Sequence, residues 1–215
     1  MFSWDKGYIG PAANLLASVP NLATPCNLDR VGMFNEIHST PAADSYAHNW
    51  TKVGGPARFI GLDENTQGNW RGKYGNAGHE VIGVATSLPA DMRVDWSGAN
   101  TYTWAAKTDD PRATASTDSA RVAACRYAGE IELVVELPAP GARLSLYCVD
   151  WDRTRAKQTV TLWSEDGAVL DRCETAKLKD GCYLTWDIRG CVRITIAHEG
   201  GPNAVVSGLF MDAAK

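Results

Sequence analysis

The feature that most constrains the fold is an alternation of apolar and other residues that runs from Arg143 to Asp212. Apolar side chains recur at every second position over 144–148, over 184–188 and over 192–196. A repeat of two is typical of a β-strand with one buried face, because successive side chains point to opposite sides of a sheet. The stretch is therefore predicted to form four or five antiparallel strands.

Turn residues divide the chain into short strands. Glu165-Asp166-Gly167 is predicted to join strands at 157–164 and 168–174 in a hairpin, and Arg189-Gly190 to join strands at 182–188 and 191–197 in another. Alternation upstream predicts further strands, starting at 57, 80, 92, 101, 121 and 130. About ten short strands separated by turns indicate an all-β fold, an antiparallel β-sandwich of jelly-roll type. This domain is expected to occupy 57–215. Residues 1–56 lack strand alternation and are interpreted as an irregular segment that packs on the β domain or remains from a preceding one.

Composition limits the classes of partner. With 45% hydrophobic and 21% charged residues, the chain can bury a sizeable core. Its net charge of −4 argues against nucleic acid or an anionic membrane as the main partner. No apolar run approaches the ~20 residues of a membrane helix, so no membrane span is expected. The first residues contain no visible signal peptide, so the chain is either intracellular or a piece cut from a larger secreted protein.

Six ordered blocks resemble a known family. They are TQGNWRGKYG (66–75), TYTWAA (101–106), DPRA (110–113), RVAAC (121–125), LYCVDWD (146–152) and NAVVSGLF (203–210). Together they resemble the C-terminal accessory domain of large secreted bacterial glycoside hydrolases and polysaccharide lyases, over roughly 57–212. The resemblance implies a galactose-binding-like jelly roll, an extracellular or cell-surface location and a carbohydrate ligand. It also implies a catalytic domain of a parent chain as a partner.

The glycine-rich loop is the first candidate ligand site. Glycines at 68, 72, 75 and 78 favour an ordered loop of defined shape, which can hold aromatic side chains in place before a ligand arrives. We expect Trp70 and Tyr74 to stack on sugar rings, with Asn69 and Arg71 as polar contacts. The alternative is that Trp70 plugs the edge of the sandwich. Further candidates of the right residue types are Trp104, Arg112, Trp151 and Arg153.

Asp150-Trp151-Asp152 is the second candidate site. Residues two apart at a strand end share a face, so the two carboxylates are expected to point together. Three interpretations follow: the carboxylates cap or ion-pair with the loop at 153–157, they bind a structural calcium ion, or they form a glycosidase pair. No other cofactor is expected.

The six cysteines raise the question of disulfides. Cys173 and Cys182 flank a predicted hairpin loop at 174–181 almost symmetrically, which favours a disulfide between them if the protein is exported. Cys125 and Cys148 lie in apolar strand patterns and are expected to be buried thiols. No Cys-x-x-Cys spacing or pair of histidines suggests zinc.

Three functions remain open from the sequence. The first is a non-catalytic polysaccharide-binding module that is accessory to a polysaccharide-degrading enzyme. The second is a structural, assembly or adhesion module that binds another protein. The third is a glycosidase or lyase that uses Asp150 and Asp152.

Overall fold

The computed structural model describes residues 56–117, 119–175 and 178–214. Within these ranges the chain forms fifteen β-strands and one short 3-10 helix at Leu178–Asp180. The strands are β1 (Ala57–Asp63), β2 (Gly78–Val81), β3 (Ala85–Ser87), β4 (Arg93–Asp95), β5 (Asn100–Thr108), β6 (Thr114–Ala115), β7 (Arg121–Ala128), β8 (Glu130–Glu136), β9 (Ala142–Cys148), β10 (Lys157–Trp163), β11 (Val169–Glu174), β12 (Cys182–Ile188), β13 (Cys191–Glu199), β14 (Ala204–Val206) and β15 (Gly208–Ala213). The predicted segment 1–56 lies outside the described residues except for Pro56.

The strands form three antiparallel sheets. A six-stranded sheet has the order β1-β12-β9-β15-β2-β3, and a five-stranded sheet has the order β11-β10-β13-β8-β4. A smaller sheet has the order β14-β7-β5, with β6 paired to β7. Chain neighbours are often not sheet neighbours, as the jelly-roll prediction requires. The predicted all-β, antiparallel β-sandwich class is confirmed. None of the described segments forms a helix long and apolar enough to cross a membrane.

The core lies between the two larger sheets. Leu144, Leu146 and Cys148 on β9 pack with Leu184 and Trp186 on β12 in one apolar cluster, which also receives apolar side chains of β13. Burial of each large apolar side chain stabilises the fold by about 1.5–3 kcal/mol. The alternation in the sequence therefore assigned the inner face of these strands correctly.

The outer face of β9 is buried as well. Tyr147 of β9 and Val149, the residue after the strand, join Trp70, Tyr183 and Phe210 in a second apolar cluster. A strand covered on both faces needs a second layer above it. That layer includes the glycine-rich loop, whose Trp70 enters the cluster.

One of the two predicted hairpins is confirmed and the other is wrong. The turn at 165–167 joins β10 and β11, which pair antiparallel. Arg189-Gly190 instead carries the chain from β12 in the six-stranded sheet to β13 in the five-stranded sheet. Trp186 and Ile194 approach the same core from opposite sheets. Both strands bury their apolar faces in that core, whereas the turn residues give no information about the pairing partner.

The predicted disulfide between Cys173 and Cys182 is wrong for the same reason. Cys173 lies on β11 of one sheet and Cys182 on β12 of the other, and both thiols are free. The partner directly opposite Cys182 is Cys148 on β9. Cys125 and Cys148 are buried free thiols, as predicted, and burial raises the pKa of both.

Candidate functional site

The glycine-rich loop, residues 64–77, is docked on the segment at 110–115. The backbone N–H of Gly68 donates to the carbonyl of Pro111 at 2.9 Å, and the N–H of Ala115 donates to the carbonyl of Gly68 at 3.0 Å. A Cβ atom at position 68 would lie 1.8 Å from the carbonyl oxygen of Ala113. The backbones therefore approach so closely that only glycine fits at this position.

Trp70 is a core residue of this loop. Its side chain is 5% exposed, and its indole N–H donates to the carbonyl of Ala115 at 2.9 Å. The ring lies 5.4 Å from that of Phe210 and 4.6 Å from that of His79. The expectation that Trp70 offers an open face to a sugar is therefore wrong in this conformation. Trp70 instead fills the edge of the sandwich, which was the alternative.

Tyr74 is half-buried and lies flat on Tyr183. The two rings are 4.1 Å apart with an interplanar angle of 10°. The Tyr74 hydroxyl donates to the carboxylate of Asp63 at 2.8 Å. Burial raises the pKa of Tyr74 first, and the hydrogen bond to Asp63 raises it further, so the phenol keeps its proton.

Asp63 ties the loop to the end of β1. Its carboxylate accepts hydrogen bonds from the backbone of Asn65 at 2.8 Å, from Lys73 Nζ at 2.6 Å and from the Thr66 hydroxyl at 2.5 Å. Burial alone would raise the pKa of Asp63, but these hydrogen bonds outweigh it and hold the pKa well below its ordinary value.

Asp212 on β15 holds the other end of the loop. It accepts from the backbone N–H groups of Gly75 at 2.9 Å and Asn76 at 2.8 Å, and from the Asn76 side-chain amide at 2.8 Å. The loop is thus fixed at both ends by carboxylates of the six-stranded sheet.

A groove of about 560 Å³ runs between this loop and the sheet. Strands β1, β9, β12 and β15 contribute to it from the sheet, and the loop contributes 65, 72–74 and 76. Ile60 and Leu62 on β1 each remain 39% exposed and line it. Its polar lining is Asp63, Asn65, Lys73, Tyr74, Asn76, Arg143, Thr185 and Asp212. Apolar and polar groups therefore converge in one ordered concavity, as in ligand sites of other proteins.

Asn69 and Arg71 point to a different place. Both line a second pocket of about 340 Å³, whose other lining residues are Thr108, Asp109, Ala115, Thr117, Ser119, Ala120 and Arg121. The guanidinium of Arg71 lies 4.9 Å from the centre of the Trp70 ring. Of the four residues predicted for the platform, Tyr74 lines the groove, Asn69 and Arg71 line the second pocket, and Trp70 lies in the core.

Asp150 and Asp152 are held by Arg155. The Arg155 guanidinium donates to Asp150 at 2.7 Å and also to Asp152, and its backbone N–H donates to Asp150 at 3.0 Å. Burial raises the pKa of Asp152, but the hydrogen bond from Arg155 outweighs it and lowers the pKa. Strand β9 ends at Cys148, so the pair sits in a turn, not on a strand face.

This arrangement fits the structural interpretation of the two carboxylates. Asp150 is fully buried, so a glycosidic bond cannot reach it, and the predicted glycosidase pair does not fit. Calcium does not fit either, because Arg155 already supplies the positive charge between the carboxylates. Among the described residues, no group of three or more acidic, His or Cys side chains could hold a metal ion.

The other four candidates do not line the groove. Arg112 is ion-paired with Asp110 at 2.8 Å and lies 4.7 Å from the Trp151 ring. Arg153 is exposed in the turn after Asp152, with a φ of 58°. Trp104 belongs to the β5 aromatic patch, which is formed by Tyr102, Trp104 and Tyr127. Tyr102 is its most open ring, 53% exposed.

Sequence reasoning considered an ion pair between Asp150, Asp152 and the loop that contains Arg155, but it missed the two carboxylates that hold the glycine-rich loop. Asp63 and Asp212 stand in no recognisable motif, and the partners of Asp212 are distant in the chain. The bond between Asp212 and Gly75 spans 137 positions. The only local signal was the position of Asp63 and Asp212 at strand ends, which many surface carboxylates share.

Comparisons with known proteins give only distant similarities. No family model matches the chain, and no curated protein matches it. One similar structure is the carbohydrate-binding module TmCBM61 in complex with beta-1,4-galactotriose: 16% identity, 57% of this chain and 85% of that chain covered, TM-score 0.30. Another is the K1 cleaved adhesin domain of Lys-gingipain from Porphyromonas gingivalis: 12% identity, 64% and 98% covered, TM-score 0.34.

A third similar structure contains the module CBM51-2 in complex with GlcNAc, from Clostridium perfringens ZmpB: 10% identity, 74% of this chain and 41% of that chain covered, TM-score 0.34. A carbohydrate-binding module is the class that the six sequence blocks resemble, and an adhesion module was a separate alternative.

Proposed function

We propose that this protein is a non-catalytic carbohydrate-binding module that binds a glycan in the groove, as an accessory to a polysaccharide-degrading enzyme. The observation that carries the proposal is the exposure of Ile60 and Leu62 beside ordered polar groups in one groove. These two and Tyr102 are the large hydrophobic residues that stand exposed on the described part of the chain. Two of the three therefore line this groove.

A saccharide presents apolar C–H faces and a rim of hydroxyl groups. Ile60 and Leu62 offer apolar contact, while the amides of Asn65 and Asn76 and the ammonium of Lys73 offer hydrogen bonds. Asp63 and Asp212 hold the loop that carries these polar groups, so little order has to be gained on binding. Because Arg155 engages Asp150 and Asp152, binding without catalysis is favoured over hydrolysis.

A glycan array followed by calorimetry on the best ligand tests this proposal. Leu62→Ala is expected to weaken glycan binding by roughly tenfold while leaving the melting temperature nearly unchanged, because the side chain is exposed. Tyr102→Ala is the matched control, since it removes an exposed apolar side chain outside the groove. Loss of binding in Tyr102→Ala, with full binding in Leu62→Ala, would move the site to the β5 aromatic patch and reject the groove.

The two rival functions predict different results in the same material. An assembly module would show no glycan binding and a stable oligomer that Leu62→Ala disrupts, because an exposed apolar pair also suits a protein partner. A glycosidase or lyase would release sugar from a polysaccharide panel, and Asp152→Asn would abolish that release.

A further inference from the structure

The second pocket is lined by two arginines, and no carboxylate of the described residues forms an ion pair with either. Arg71 and Arg121 both line it, and within the described residues neither forms an ion pair with an Asp or Glu side chain. Arg112, Arg126 and Arg143 differ, since each forms an ion pair at 2.8 Å. Among the described residues, the pocket lining therefore carries positive charge that no ion pair cancels, in a protein whose net charge is −4.

Both guanidinium groups are nevertheless held in place. Arg121 donates to the carbonyl of Ala113 at 2.9 Å and to the side-chain oxygen of Asn69. Arg71 donates to the carbonyl of Ser116 at 2.5 Å and lies over the Trp70 ring. Neutral oxygen atoms and a ring face orient the cations without cancelling their charge. Each guanidinium has five N–H donors, so donors remain for a ligand.

We infer that this pocket binds an oxyanion, a carboxylate or sulfate group, carried on an acidic saccharide. A planar guanidinium matches the two oxygens of a carboxylate in a forked pair, and charge-assisted bonds are about twice as strong as neutral ones. The hydroxyls of Thr108, Thr117 and Ser119 line the same pocket and can bind the rest of a sugar. A volume of about 340 Å³ lies within the usual range of ligand pockets.

Asp109 contributes a negative charge to the pocket lining. It is the one acidic residue among the described pocket-lining residues, and it is exposed. The Asp109 carboxylate repels an anionic ligand. Replacing it with a neutral side chain should therefore strengthen binding of that ligand, whereas removing an arginine should weaken it. The site is separate from the groove and does not rest on the groove proposal.

Calorimetric titration with a galacturonate oligosaccharide, beside the neutral galactose oligosaccharide, tests the inference. Arg71→Gln is expected to weaken galacturonate binding at least about tenfold, and Asp109→Asn to strengthen it a few-fold. Arg93→Gln removes the same charge from an exposed position on β4. It should leave the affinity for galacturonate unchanged, because salt screens the interaction between distant exposed charges. The affinity for galacturonate should also fall when the salt concentration is raised about tenfold, from 50 to 500 mM, because salt screens the attraction between the ligand and the arginines.

The outcomes separate this site from the groove. Galacturonate binding that Arg71→Gln abolishes and Leu62→Ala spares supports the pocket, even if no neutral glycan binds anywhere. Equal affinity for the acidic and neutral oligosaccharides, or equal losses in Arg71→Gln and Arg93→Gln, would overturn it. If sodium sulfate occupied the pocket as well as galacturonate does at equal concentration, the pocket would recognise only the negative charge. That result would overturn the inference that the ligand is a saccharide.

Discussion

At the scale of single residues, burial decides what an aromatic side chain does. Trp70 lies in the most glycine-rich part of the sequence, where exposed binding aromatics are common, yet its ring is enclosed and its N–H is satisfied by a backbone carbonyl. Tyr102 lies in a regular strand and is the open ring. Residue type and local sequence had favoured Trp70, not Tyr102, as the exposed aromatic side chain.

Trp70→Ala is therefore expected to cost about 3–5 kcal/mol of unfolding free energy, as other large truncations in cores do. Urea denaturation followed by far-ultraviolet dichroism measures this free energy. Tyr102→Ala is the matched control and should stay within about 0.5 kcal/mol of the parent. An unchanged denaturation midpoint for Trp70→Ala would show that the ring does not pack as described.

At the scale of elements, the position of the glycine-rich loop depends on backbone contact. Gly68 touches the segment before β6 so closely that a methyl group cannot be accommodated. The same loop forms one wall of the groove and carries Asn69 and Arg71 into the second pocket. Displacement of this one loop should thus disturb both proposed sites at once.

Gly68→Ala is expected to destabilise the protein by more than about 2 kcal/mol, because the added Cβ would overlap a backbone carbonyl that cannot rotate away. Gly129→Ala is the control, since nothing lies within 4 Å of its Cβ position. That change should be neutral, or stabilising by about 0.4–1 kcal/mol through the unfolded state. Thermal melts of both variants measure the difference, and similar melting temperatures would contradict the close contact.

At the scale of the whole molecule, carboxylates that accept hydrogen bonds in the folded state make stability depend on pH. Hydrogen bonds from Arg112 lower the pKa of Asp110. Burial raises the pKa of Asp187, but hydrogen bonds from Arg143 and Arg58 outweigh it and lower the pKa. Asp63 behaves in the same way. In each case the folded pKa lies below the unfolded one, so the unfolded chain takes up protons first as pH falls.

The free energy of unfolding should therefore be fully retained above about pH 4, near the unfolded pKa of Asp, and should fall as the pH drops further. Asp63→Asn should be less stable than the parent at pH 7, because the carboxylate bonds are lost, and should lose less stability between pH 4 and pH 2. Denaturation curves at several pH values test this. Parallel losses in the parent and in Asp63→Asn would show that Asp63 does not contribute.

The amino-acid sequence by itself determined the fold class, most strand positions and the inner face of the sandwich. Side-chain direction alternates along any strand, so a period of two places Leu144 and Ile194 in a core whatever the topology. Only the tertiary structure decided which strands pair, and therefore that β12 and β13 separate into different sheets and that Cys182 faces Cys148.

The candidate sites were predicted even less completely, for the same physical reason. Tyr74, Asn69 and Arg71 were identified by residue type and loop shape, but Asp212 and Arg121, which bind the same loop at Gly75 and Asn69, reach it through folding of the chain. Whether Trp70 is covered depends on Tyr147, Tyr183 and Phe210, which the folding of the chain brings into one cluster with it. Local spacing sets the direction of a side chain, while long-range packing decides what that side chain meets.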